Sequence, residues 1–353
     1  MVNINMKYHI LGKSDVNASV LGMGCWAYGG GDYWGAQSQR DVEAVVRQAL
    51  DLGINFFDTA EMYNDGASER SLGQALHEVR HKAVIASKIG PAFCRDIRAH
   101  LEGSLRRLGT DYLDVYMLHW PINDAGIKHF TADPEILKNP PTIEEACSQL
   151  IRLKEEGLIR SIGVSNFGFK QIAEILACGI EVDVNEMPYN LVSRAIEEKI
   201  VPFCLENQIS LIGSMALQQG LLAGIYETVE QVPAHQAHSR HFSQMRGGEQ
   251  ARHGEEGAEN EVFEVVALLK FLAGQMGISC AQLALAWILN KPFMHCTLVG
   301  SRNTWELLSN IQACELTLPQ DVIDKLDAAS LPVLQKLGDS PDYYENRNNS
   351  RIY

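Results

Sequence analysis

Residues 83–119 read AVIASKIGPAFCRDIRAHLEGSLRRLGTDYLDVYMLH. The pattern is a strand at Ala83–Lys88, a helix over Asp96–Leu108 and a second strand at Leu113–His119. Two short apolar runs joined by an amphipathic crossover read as parallel neighbours, because parallel pairing needs a connection of about a dozen residues or more, usually a helix. The same unit recurs on both sides. Upstream, Val20–Gly24 and Asn55–Asp58 are strands. The helix Ser38–Leu52 between them has Val42, Val45, Val46, Ala49 and Leu50 at helical spacing and stops at Gly53. Glu69–Val79 is helical. Downstream, the strands are Ser161–Ser165, Val182–Glu186, Ser210–Met215 and Thr297–Gly300. Helices are predicted at Thr142–Glu156, Phe169–Ala177, Ser193–Asn207, Val262–Gln275, Ala281–Asn290, Trp305–Ala313 and Pro319–Ala328, with a capping box formed by Thr142 and Glu145.

Eight strand–helix units in one chain fit a closed α/β barrel, a (β/α)8 TIM barrel, better than an open sheet. The N-terminal stretches Lys7–Gly12 and Val16–Leu21 read as a β-hairpin ahead of it. No shift in composition divides the chain. We therefore read 1–353 as one domain, with the barrel over about 20–328 and an irregular surface tail over 329–353. A polar stretch at about Thr228–Asn260 interrupts the alternation.

With 353 residues, 46% hydrophobic and 21% charged, the chain has the composition of an ordinary soluble globular protein. Its 30 Lys and Arg against 44 Asp and Glu give a net charge of −14, which argues against a nucleic-acid binder. No run of ~18 apolar residues is present to span a membrane. The start, MVNINMKYHILGK, lacks the apolar stretch of a signal peptide. Eight cysteines lie too far apart in sequence for a zinc or redox pair, and read as free thiols in a reducing cytoplasm. No metal site is expected; the His235, His238, His241 spacing has no carboxylate order around it. The stretch holding these histidines, His253, Arg240, Arg246 and Arg252 reads as a lid with arginines for phosphate.

The C-terminal strand ends of a parallel barrel converge on one site. Here they present Asp58, Lys88 and His119, with Tyr63 five residues after Asp58. These types form a proton-transfer unit. A free phenol, with a pKa near ~10, is a poor acid at neutral pH. A neighbouring ammonium lowers that value. Lys88 can supply the charge, Asp58 can hold Lys88, and His119 can orient a substrate oxygen. Tyr63 would then protonate a carbonyl oxygen, or deprotonate an alcohol.

These residues resemble those of the aldo-keto reductases. The matching segments are LGMGCW at 21–26, FFDTAEMY at 56–63, SERSLGQAL at 68–76, IASKI at 85–89, DYLDVYMLHWP at 111–121, IGVSNF at 162–167, YNL at 189–191 and LVGSRNTWELLSN at 298–310. The resemblance implies an eight-stranded barrel that binds a nicotinamide cofactor without a Rossmann domain. The G-x-G-x-x-A at Gly22–Ala27 is accordingly a decoy, since a glycine-rich loop follows it and not a helix. The resemblance also implies that Asp58, Tyr63, Lys88 and His119 are the catalytic tetrad. It places Ser165, Asn166 and Glu186 at the nicotinamide carboxamide. Glu186 stands where the family usually has Gln, so it can accept from the amide but, when ionised, cannot donate to it. Ser214 takes the place of a stacking aromatic. Leu217, Gln219 and Gly220 would contact the pyrophosphate, and Asn310 the adenine. Gly300, Ser301 and Arg302 lie where the family grips the adenosine 2′-phosphate, with Glu306 working against a phosphate there. NADP(H) is accordingly favoured over NAD(H).

Trp26, Tyr28, Trp34 and Trp120 form a candidate substrate wall, suited to a sugar-like compound or an aromatic ketone. The expected partner is a small carbonyl or alcohol; no nucleic acid, membrane or defined oligomer is implied. Two other readings stand beside the reductase. One is a nucleotide-sensing regulatory subunit with little turnover. The other is a lyase using Lys88 as a Schiff base, against which Asp58 argues.

Overall fold

Strands β1 (Tyr8–Ile10) and β2 (Asn17–Ser19) pair antiparallel, as the hairpin pattern predicts. The computed structural model describes residues Ile4–Tyr353; residues 1–3 of the domain read above lie outside the described residues. The hairpin turn fits closely on the barrel. Gly12 has a φ of +57°, and a Cβ there would stand 2.5 Å from the Asp183 carbonyl oxygen, so the position requires glycine.

The barrel strands are β3 (Leu21–Gly24), β4 (Phe56–Asp58), β5 (Val84–Ile89), β6 (Leu113–Leu118), β7 (Ile159–Ser165), β8 (Val184–Pro188), β9 (Ser210–Ser214) and β10 (Met294–Val299). All eight run parallel in sequence order, and β10 closes against β3. The architecture is the closed (β/α)8 barrel that the strand–helix alternation predicts.

Alternation along each strand fixes what lies inside. Phe56, Val84, Ala86, Val115, Met117, Val184, Ile212, Cys296 and Leu298 form one buried interior cluster, joined by Leu11, Val16 and Ala18 of the hairpin region. The hairpin therefore stops the N-terminal end of the barrel. A Cβ on Gly163 would meet Val184 at 2.3 Å, so this interior has no room for a side chain there. Moving two residues along from these apolar positions reaches Asp58, Lys88 and Glu186, one step nearer the C-terminal rim. The polar layer of the barrel is thus set by strand period alone.

Outside the 228–260 stretch, the helices follow prediction except in three places. Two short helices, Asp124–Phe130 and Pro134–Lys138, follow β6 where no helix is predicted. The last helix does not stop at Ala328 but runs from Gln320 to Leu337, through Pro332. Proline there removes one intrahelical hydrogen bond, yet Ser330 and Val333 are fully buried and packing carries the helix on. The irregular tail therefore begins at Gly338. It is anchored, not draped. Asp342 accepts hydrogen bonds from the backbone N–H of Tyr344, Glu345 and Arg351, and from Arg351 Nε and Nη2 at 3.0 and 2.7 Å. Both side chains are buried.

The 228–260 stretch holds 3₁₀ turns and one short helix, Gln244–Gly247. Its arginines are engaged with carboxylates: Arg240 with Glu255, Arg246 with Glu259 and Arg252 with Glu345. Arg240 also donates to the Leu337 and Ser340 carbonyls, tying the stretch to the tail. All eight cysteines are free thiols. Among the described residues, no single helix is long and apolar enough to cross a membrane.

Candidate active site

Lys88 is the centre of the polar layer and is wholly buried. Its ammonium donates to Asp58 Oδ1 at 2.5 Å, to the Thr59 carbonyl at 3.1 Å and to Tyr63 Oη at 3.3 Å. Burial alone would drive the proton off. The Asp58 and Glu186 carboxylates outweigh that and hold Lys88 charged, well above the ordinary lysine range. Burial and Glu186 push the Asp58 carboxyl upward, against the pull of Lys88. Burial likewise raises the Tyr63 phenol, and Lys88 draws it back down.

Tyr63 is not on a strand. Its loop reaches the helix Ala67–Leu76 through three successive left-handed residues, Asn64, Asp65 and Gly66. Asn64 Nδ2 donates to the Trp26 and Tyr28 carbonyls at 2.9 and 3.0 Å, which ties the loop to the chain after β3. On the other side Glu61 accepts from the Gly90 N–H and pairs with His100 Nδ1 at 2.7 Å. Neither Asn64 nor Glu61 is among the predicted site residues. The Asn-Asp-Gly tripeptide is the turn signal that could have marked the first.

His119 follows β6, with its ring centroid 5.6 Å from that of Tyr63. Burial and the Lys88 charge drive its pKa well below the usual histidine value, so it is a neutral imidazole. The four predicted tetrad residues therefore meet around one point.

The predicted cofactor residues occupy the same rim on the neighbouring strands. Ser165 ends β7, and Asn166 follows it with a φ of +62°. Asn166 Nδ2 donates to Ser165 Oγ and to the His119 carbonyl, which leaves the serine proton and the amide oxygen for a ligand. Glu186 lies on β8 beside Ser165 and Ser214 ends β9. Leu217, Gln219 and Gly220 form a kinked turn after it. Gly300, Ser301 and Arg302 follow β10; Ser301 is buried and accepts from Asn310. His119 Nδ1, Glu186 Oε2 and Gln219 Nε2 are buried without a hydrogen-bond partner. Orphaned polar atoms gathered at one rim suit a polar ligand. The donors and acceptors at Ser165, Asn166 and Glu186 match what a carboxamide needs.

Arg302 is engaged within the protein. Its guanidinium donates to the Trp34 and Ala36 carbonyls and to Gln37 Oε1. Glu306 accepts from the Arg302 backbone N–H and from Asn303.

The predicted substrate wall divides. Trp26 stacks against Tyr63 with centroids 5.8 Å apart, and Trp34 meets Trp26 edge-on. Tyr33, absent from the predicted wall, stacks on Trp26 at 5.1 Å and donates from its hydroxyl to Gln219. Tyr28 is sunk in the main core, and Trp120 is buried beneath the Arg351 guanidinium at 3.7 Å. His235 and His238 turn their rings to the edge of Tyr33, while His241 lies buried among Ser193, Gln218 and the Val192 carbonyl.

An eight-stranded barrel with Asp58, Tyr63, Lys88 and His119 gathered at its C-terminal rim defines a class, and comparison identifies it. The aldo/keto reductase family model matches residues 20–331, so the chain belongs to that family. It is 32% identical over 337 residues to the NADH-specific methylglyoxal reductase of Escherichia coli, covering 89% of this chain and 95% of that one. It is 27% identical to a probable voltage-gated potassium channel subunit beta of Oryza sativa, covering 92% and 96%. An aldo/keto reductase from Klebsiella pneumoniae, solved with NADP and acetate, superposes with a TM-score of 0.67 at 25% identity over 93% of this chain and 95% of that one.

Proposed function

We propose that this protein is a nicotinamide-dependent oxidoreductase that interconverts a small aldehyde or ketone and its alcohol, with Tyr63 as the general acid and base. The observation that carries the reading is the 3.3 Å contact between Lys88 Nζ and Tyr63 Oη, with Asp58 behind the lysine. A nicotinamide held at this rim would supply or take the hydride. The chain's own residues manage the proton. Tyr63 gives its hydroxyl proton to the substrate oxygen, and Lys88 steadies the phenolate left behind. Neutral His119 hydrogen-bonds the same oxygen and sets its direction. Trp26, beside the phenol, presents a flat apolar face with Trp34 at its edge, which suits a sugar-like ring or an aromatic ketone.

Ser165, Asn166 and Glu186 would hold the carboxamide, Ser214 would lie near the ring, and Leu217, Gln219 and Gly220 would line the pyrophosphate. Ser301, Arg302 and Asn310 would take the adenosine end, with Gly300 leaving room there. NADP(H) is the favoured nucleotide through Arg302. That residue has to give up its bonds to Trp34, Ala36 and Gln37 to meet a phosphate, and Glu306 stands nearby. The preference over NAD(H) is therefore modest, within about tenfold, or ~1.4 kcal/mol. The free thiols suit a reducing compartment, and a cytoplasmic site of action is part of this proposal.

The test is Tyr63→Phe. It should lower kcat for carbonyl reduction by at least about 100-fold, while nucleotide binding, followed by fluorescence titration, stays intact. Full turnover in that variant would remove Tyr63 from the reaction. Arg302→Ala should weaken NADPH more than NADH; equal weakening excludes a 2′-phosphate contact. The lyase alternative requires an uncharged amine, which Lys88 between two carboxylates does not offer. Tight nucleotide binding without turnover of any carbonyl would favour the regulatory alternative, to which the Oryza sativa relative, named as a probable channel subunit, lends some weight.

A further inference from the structure

Two carboxyl groups, not one, face Lys88. Glu186 Oε2 stands 3.3 Å from Lys88 Nζ, and its side chain is only 5% exposed. The ammonium has three protons, and they are directed to Asp58, Thr59 and Tyr63. Glu186 Oε2 is left beside the cation without a hydrogen bond of its own. The register explains why it is there. Glu186 follows the interior residue Val184 by two, as Lys88 follows Ala86 and Asp58 follows Phe56. All three charges therefore project into the same closed layer.

The net charge of that layer differs from that of a simple ion pair. Lys88 with Asp58 alone is neutral. A second carboxyl at 3.3 Å adds negative charge to the cluster beside the phenol whenever both are ionised, and the same repulsion pushes the Asp58 carboxyl upward. A buried negative charge opposes formation of a phenolate. Other titratable groups near Tyr63 do not offset it. His119 is neutral, and the thiols of Cys25 and Cys296, which neighbour the carboxyls, are held protonated by burial.

We propose that Glu186 is a positioning residue for the proton transfer: by competing for the charge of Lys88 it keeps Tyr63 in its protonated, proton-giving form over a wider pH range, and so biases the site toward carbonyl reduction. This rests on the assignment of Tyr63 as proton donor. A carboxylate contributed by the nicotinamide side of the pocket would thus act on the acid across the barrel, through Lys88.

The test uses the full chain with Glu186→Gln, which keeps the shape and removes the charge, and Glu186→Asp, which keeps the charge. The first readout needs no turnover. Tyrosinate absorbance is titrated in nucleotide-free protein, and the same variants carrying Tyr63→Phe are subtracted to isolate Tyr63. Glu186→Gln should lower the Tyr63 midpoint by about 1 pH unit or more, the scale on which a nearby charge moves a pKa. Glu186→Asp should stay within about half a unit of the parent. The second readout is the pH profile of kcat/KM. In Glu186→Gln the alkaline loss of reduction and the rise of alcohol oxidation should both move to lower pH by the same amount. An unchanged Tyr63 midpoint in Glu186→Gln overturns the proposal, and so does a Glu186→Asp shift as large as that of Gln. If the midpoint moves but Tyr63→Phe retains turnover, the inference about Glu186 stands and the assignment of the acid falls. Nucleotide affinity of each variant, measured by fluorescence, separates a lost carboxamide contact from the electrostatic effect.

Discussion

Two buried acid–base pairs in this molecule have opposite characters. Asp342 and Arg351, in the tail, satisfy each other. The carboxylate accepts from two side-chain N–H groups of Arg351 and three backbone N–H groups. Burial opposes its charge, but those donors prevail and hold its pKa below the ordinary range. Asp58 and Lys88, in the barrel, share their space with a second carboxylate, and the Asp58 carboxyl is pushed upward. A pair built to hold a chain segment collects donors. The pair to which we assign the proton transfer instead has a second carboxyl 3.3 Å from its cation.

The largest test of this contrast is Lys88→Met. It should lower kcat by ~100-fold or more, because the phenolate loses its cation, while the circular dichroism spectrum is unchanged. Retained turnover in a folded variant would merge the two pairs into one class. Arg351→Met should do the reverse. It strands Asp342 in the interior and should cost about 3–5 kcal/mol in urea unfolding, with kcat altered far less than by Lys88→Met.

Acid titration sharpens the same point. The native pKa of Asp342 lies below its unfolded value of ~3.9. Its contribution to stability is therefore complete above that value and is lost as pH falls through the native one. In that window the parent should gain stability with rising pH more steeply than Asp342→Asn does; parallel curves would show that the pair does not couple to folding. The smallest effect is expected at Asn64→Ala. Losing the two bonds to the Trp26 and Tyr28 carbonyls should lower kcat by at most about 30-fold, on ~1 kcal/mol per bond. An unaltered kcat would show that the Tyr63 loop is held by Glu61 and its own backbone.

The barrel was legible because its strands are short apolar runs and its crossovers are regularly amphipathic. The gathering of Asp58, Lys88 and His119 was legible because they fall at or next to strand ends, where a parallel barrel brings side chains together. The helices Asp124–Phe130 and Pro134–Lys138 escaped notice because they have little apolar periodicity. Their signals are the caps, Asn123 accepting from Gly126 and Asp133 accepting from Glu135. The last helix outruns its predicted end at Ala328, through Pro332, because local propensity says nothing about the packing that carries it on. Tyr28 and Trp120 entered the predicted wall through their nearness in sequence to Trp26 and His119. A loop can bury one aromatic and present the next, and only tertiary contact tells them apart. The charge state around Lys88 was equally out of reach, since it depends on three strands placing carboxyl, ammonium and carboxyl in one layer.

The hairpin that stops the barrel floor has a consequence for traffic. Leu11, Val16 and Ala18 are sealed from solvent, so no doorway opens through them. On the proposed chemistry, each hydron that Tyr63 spends on product is replaced from water entering by the rim along which product departs. Departure and recharging are then obligatory neighbours in time, and a bulky product lingering at the mouth would hold the phenol discharged.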